Sequence, residues 1–186
     1  MTSKLNIRQA TVSMCQVAVC TALLCVLSPL SIPTPIGVGF TMQVLIVLIT
    51  ALILKPAQAL AAQLIYTLLG ILGLPVFSMY KSGFGVLTSP TGGFIIGFIL
   101  ASFFVSLLKG SDDNKRAIVR YIIVAIAVGI PCVYIPGVAV FMITTGSDFM
   151  SAFLTVAGTF LLIDLAKCVI ASLFALPINK SLKKLR

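Results

Sequence analysis

Phe160-Leu-Leu-Ile-Asp164-Leu-Ala-Lys167-Cys-Val-Ile-Ala171 places one acid and one base inside a stretch that is otherwise apolar. Residues three apart on an α-helix share a face and can touch. With its flanking residues the stretch is long and apolar enough to read as a membrane helix. Ionisable groups are costly there and usually face a bundle interior or a substrate path. Two readings stay open from the spacing alone: a self-neutralising structural ion pair, or the centre of a site.

The rest of the chain has the same character. Of its 186 residues, 60% are hydrophobic and 9% charged, and the mean hydropathy is +1.19. So little polar surface cannot cover a soluble domain. At about 20 residues per crossing, the length accommodates about six helices. The expected fold is an all-α integral membrane protein, a single domain over 1–186. Its six spans are expected near 9–28, 40–54, 57–74, 91–108, 117–140 and 159–176.

The net charge of +9 does not call for nucleic acid, because the positions of the cations account for it. Lys4 and Arg8; Lys55; Lys109, Lys115, Arg116 and Arg120; and Lys180, Lys183, Lys184 and Arg186 flank apolar runs at alternate ends. That is the positive-inside pattern. Eleven of the thirteen cations follow it and place both termini in the cytoplasm of a multi-pass cell-membrane protein; Lys81 and Lys167 depart from it. The first run, 9–29, is longer than a signal-peptide core and other spans follow, so it reads as a retained helix.

Cys15, Cys20, Cys25, Cys132 and Cys168 all lie in apolar stretches without C-x-x-C spacing. They read as small buried hydrophobes, neither a disulfide framework nor a metal site. His and Glu are absent, which removes most metal ligands and general bases. Nothing pairs with Asp164 as a second buried carboxylate, and no G-x-x-x-x-G-K-[ST] run is present. No catalytic residue, cofactor or metal is expected.

Pro and Gly punctuate the non-helical parts. Leu30 to Gly39 forms a first outside loop, and Val76 to Pro90 a long second one with the length of a lid. Gly93-x-x-x-Gly97 reads as helix packing. Thr144 to Asp148 is a turn, and Phe149–Ala157, too short to cross, is expected along the outer interface. Asp164 and Lys167 then fall in the first two turns of the last span. Around them the topology collects Gln43, Tyr80, Lys81, Ser82 and Thr88. An apolar cavity with a few fixed polar groups is how small-molecule sites are built. For Gln43 an interhelical hydrogen bond is the competing reading, and for Lys81 a solvated loop charge. Ala18 and Ala22 make a small-xxx-small face on the first span, suited to a partner helix.

Leu69-Gly70-Ile-Leu-Gly73-Leu-Pro75-Val-Phe77, Gly83 to Phe98, Val38-Gly-Phe-Thr-Met-Gln43 and Asp164-x-x-Lys167 together resemble BioY, over essentially the whole chain and in order. BioY is the biotin-specific substrate-binding (S) component of energy-coupling-factor (ECF) vitamin transporters. The resemblance implies an outward-facing pocket capped by loops 1–2 and 3–4, and high-affinity biotin capture in a prokaryotic membrane. It also implies partnership with a membrane scaffold protein and two cytoplasmic ATPase subunits. Binding roles carry over to Gln43, Asp164 and Lys167, and Ser82, Gly83 and Phe84 fall in the loop that would close over the ligand. Ala18 and Ala22 match the scaffold-contacting face. Gly39 stands where the family often has Pro, Ser89 where it often has Gly, Lys81 where a small polar residue is usual, and Ile95 where some members carry Arg. Lys81 is the expected replacement cation. Remaining alternatives are an S component for another vitamin or for dethiobiotin, and, from other classes, a membrane enzyme or a scaffold.

Overall fold

The computed structural model describes residues 2–32, 40–111 and 116–185. The part of the first loop that contains Gly39, and the acidic residues Asp112 and Asp113, lie outside them. Helix α1 covers Thr2–Leu27 and ends ahead of Pro29; strands β1 (Ser31–Ile32) and β2 (Phe40–Thr41) follow. Next come α2 (Gln43–Ile53), α3 (Pro56–Ile71) and α4 (Gly92–Leu108). Helix α5 (Ala117–Val124) runs through a π-helical turn, Ala125–Gly129, into α6 (Ile130–Thr145), and α7 spans Phe149–Leu185.

Three of these stretches are long and apolar enough to cross a membrane: Gln9–Leu27, Ala117–Thr145 and Phe149–Lys183. Helices α2, α3 and α4 are shorter and also apolar. Leu68, Leu107, Ile123, Ile135, Leu162 and Phe174 remain exposed on the outer faces, as suits a bundle surrounded by hydrocarbon. The architecture is that of an all-helical membrane protein.

Several element boundaries differ from the sequence reading, each for a physical reason. Helix α2 begins at Gln43 because Phe40 and Thr41 instead pair antiparallel with Ile32 and Ser31. The expected interfacial segment 149–157 is continuous with the last helix. Gly146, at φ 68°, caps the end of α6, and Asp148 Oδ2 accepts the Ser151 amide at 3.2 Å, an N-cap that starts α7 at Phe149. No Pro falls between there and Asp164. Asp164 and Lys167 therefore sit about four to five turns into α7, where the sequence reading had placed them in the first two. Pro177 does not end α7, which carries on to Leu185. Pro131 is accommodated by the π turn that precedes it: its ring would meet the carbonyl of residue 127, and the widened turn relieves that clash.

Helix α2 is the central element, with nine of its eleven residues buried, as an all-round apolar helix requires. At its C-terminal end Lys109 Nζ donates to the carbonyls of Ala51 at 3.3 Å, Leu52 at 2.6 Å and Leu54 at 2.6 Å. Asn179 Nδ2 donates to the Leu52 carbonyl at 2.9 Å and to Tyr121 Oη at 2.8 Å. These donors satisfy carbonyls that a helix end leaves without partners, and a cation suits that end of the dipole. They tie α2 to α4 and α7 and so fix the depth of Gln43 at its opposite end.

Gly93 and Gly97 bring α4 onto α6. A Cβ on Gly93 would collide with the Pro136 carbonyl, and one on Gly97 would lie 2.8 Å from the carbonyl oxygen of Cys132. That oxygen is the acceptor that Pro136, lacking an N–H, leaves without its helical donor. The small residues act here as backbone-to-backbone packing, and they set Tyr134 beside Phe94 with ring centroids 6.4 Å apart.

Candidate binding site

Lys167 Nζ lies 2.8 Å from Asp164 Oδ1, with side chains 8% and 6% exposed. The pair is held from two further elements. Tyr134, on α6, donates its hydroxyl to Asp164 Oδ2 at 2.8 Å, and Lys167 also donates to the Thr41 carbonyl on β2 at 2.8 Å. Among the described residues each carboxylate oxygen thus has one donor and retains acceptor capacity for another.

Gln43 is buried at the start of α2. Its Nε2 donates to Tyr66 Oη at 2.8 Å, and Tyr66 donates onward to the Val76 carbonyl at 2.9 Å. The interhelical bond read as the alternative for Gln43 therefore exists, and it occupies only the amide nitrogen. Oε1 is left as the acceptor this residue offers the cavity it lines.

These groups face one cavity, bounded by Thr41, Gln43, Phe77, Ser78, Lys81, Phe94, Phe98, Tyr134, Phe160, Asp164 and Lys167, among others. It offers about 60 Å³ to the centre of a water molecule, room for a few waters. Its floor is the buried, self-neutralised pair and its walls are aromatic. At the rim, Lys81 is exposed, and among the described residues its ammonium meets no partner. The structure brings Gln43, Lys81, Asp164 and Lys167 together here. Ser82, Gly83 and Phe84 stay on the neighbouring loop without lining the cavity, Phe84 being 66% exposed. Ala18 and Ala22 lie elsewhere, in a groove between α1 and α3.

The loop over the cavity is anchored rather than free. The Phe77 amide donates to the Lys81 carbonyl at 3.1 Å and the Gly83 amide to the Gly70 carbonyl at 2.8 Å. The Met79 amide donates to Ser31 Oγ at 2.9 Å, which joins this loop to the β1–β2 hairpin. Sequence reasoning missed Tyr134, Tyr66, Thr41 and Ser78. For the tyrosines there was a signal, a phenol inside an apolar span whose hydroxyl needs a partner.

A helical membrane protein enclosing a small cavity with a polar floor is the class that this architecture defines. The chain belongs to the BioY family, whose model matches residues 1–184. It is 37% identical over 150 residues to the biotin transporter BioY of Thermotoga maritima, covering 80% of this chain and 86% of that one. With the biotin transporter BioY2 of Lactococcus lactis it shares 32% over 170 residues, 91% of each. The family and these relatives are transporters, not enzymes. A crystal structure of the S-component for biotin from an ECF-type ABC transporter superposes with a TM-score of 0.80, covering 97% of this chain and 95% of that one at 21% identity. At that identity the likeness speaks for the fold.

Proposed function

We propose that this chain captures biotin and serves as the S component of an ECF-type transporter, with energy supplied by partner ATPases. The observation that carries the reading is the Asp164–Lys167 pair, bonded and buried at the floor of a cavity with aromatic walls. Biotin carries a neutral ureido head with two N–H donors and one carbonyl, a thioether ring and an apolar chain ending in a carboxylate. Asp164 accepts from a ureido N–H, Gln43 Oε1 accepts from the other, and Lys167 donates to the ureido carbonyl. Phe77, Phe94, Phe98 and Phe160 enclose the thioether ring. The carboxylate reaches the rim, where Lys81 meets it. A cavity with room for only a few waters admits such a ligand when the loop carrying Lys81, Ser82, Gly83 and Phe84 opens, and the loop then closes over the chain.

In the membrane this reading has six crossings with both termini cytoplasmic and the cavity facing outward, as the cation placement implies. Ala18 and Ala22 contact a membrane scaffold protein that carries two cytoplasmic ATPase subunits. A thermal-shift screen of the purified protein with biotin, dethiobiotin, riboflavin and thiamine tests the assignment. Biotin is expected to give the largest stabilisation, about 4 kcal/mol at a thousand times its Kd. Stabilisation by riboflavin or thiamine in place of biotin would reassign the ligand.

A further inference from the structure

The cavity is lined by a buried hydroxyl, that of Ser78, which no described residue engages in a hydrogen bond. A buried polar group without a partner is costly, and in native structures it calls for an explanation. Ser78 begins a single 3₁₀ turn, Ser78–Tyr80, after which comes Lys81. Ser78 and Lys81 flank the bend at Met79 and Tyr80. Ser78 and Lys81 both line the same cavity.

The turn is held in a conformation that L residues resist. Met79 and Tyr80 have φ of 59° and 58°, a left-handed pair disfavoured for both side chains. Ser31 Oγ, accepting the Met79 amide, and the Lys81 amide, donating to the Ser78 carbonyl at 3.3 Å, pin it. Such a bend presents Ser78 to the cavity, although an extended loop would be easier to form.

We infer that Ser78 and Lys81 together form a subsite for an anionic oxygen, the carboxylate end of the ligand, with the Ser78 hydroxyl as the donor that completes it. This rests on the biotin reading above. Charge disposition supports the direction of binding. At the floor, Lys167 is neutralised by Asp164, whereas Lys81 at the rim is uncompensated among the described residues. An anionic tail is therefore favoured at the rim and disfavoured at the floor. A hydroxyl donating to a carboxylate forms a charge-assisted bond, about twice as strong as a neutral one. Ser31 is the positioning residue of this subsite.

The test is a Ser78→Ala variant, compared with wild type in two measurements. Without ligand, its melting temperature is expected to equal or exceed that of wild type, because the substitution removes an unpartnered buried group. With ligand, its affinity for biotin is expected to fall about tenfold, and for biotin methyl ester by threefold or less. Unchanged biotin affinity would overturn the subsite. So would an equal penalty toward the ester, or a drop in ligand-free stability, which would mean that the hydroxyl has an internal partner. Wild-type protein that fails to bind biotin overturns the functional reading itself, an outcome distinct from wild-type binding that Ser78→Ala leaves untouched.

Discussion

Removing one half of the buried ion pair should harm this protein far more than removing both halves. Asp164 and Lys167 are 6% and 8% exposed at their side chains and 2.8 Å apart. Replacing Asp164 with Leu leaves a buried ammonium with the Thr41 carbonyl but no adjacent carboxylate. Replacing Lys167 with Met leaves a buried carboxylate whose remaining donor among the described residues is the Tyr134 hydroxyl. Breaking a buried pair from one side costs about 3–5 kcal/mol, while exchanging both partners for apolar groups is often neutral or stabilising. For a chain of this length the single variants should melt roughly 10 °C below wild type, and the double variant should return to within a few degrees. Thermal unfolding of the four purified proteins in one detergent gives the cycle. Biotin binding is expected to be absent from the double variant even though its stability is restored, which separates the site's function from its structural role. Additive losses would refute the reasoning, because they would mean that each group is paired with something other than its neighbour.

Two further substitutions probe the supports of the site. Tyr134→Phe removes the donor to Asp164 Oδ2 and should weaken biotin binding about fivefold to tenfold, read by equilibrium binding, with the fold retained; unchanged affinity would exclude Tyr134 from organising the carboxylate. Gly97→Leu drives a side chain into the Cys132 and Val133 backbone and should prevent the α4–α6 contact. A monodisperse, biotin-binding Gly97→Leu protein on size exclusion would contradict that packing.

The charged pair at the floor of the cavity was legible in the sequence because Asp164 and Lys167 are neighbours on one helix, so spacing alone brings them together. Its supports were not. Tyr134 lies thirty residues before Asp164 and Thr41 lies 126 before Lys167; such distances are decided by how α6 and the β1–β2 hairpin pack against α7. The same non-local pairing moved the start of α2 to Gln43. Composition and cation placement pointed to a helical membrane protein, yet they misplaced the beginning of the last helix. In the sequence Asp148 reads only as part of a turn, and the apolar run after it reads as too short to cross. Gly93 and Gly97 were read correctly as packing because a missing Cβ has few other uses in an apolar helix. Ser78 stayed hidden because a serine in a loop carries no sign of burial.

Equilibrium binding of radiolabelled biotin to the purified wild-type chain and to Asp164→Asn and Lys167→Ala bears most directly on the central proposal. The expected result is saturable binding of one biotin per chain, weakened at least about tenfold, or 1.4 kcal/mol, in each variant. Wild-type affinity in both variants, or no saturable binding to the wild-type protein, would contradict it.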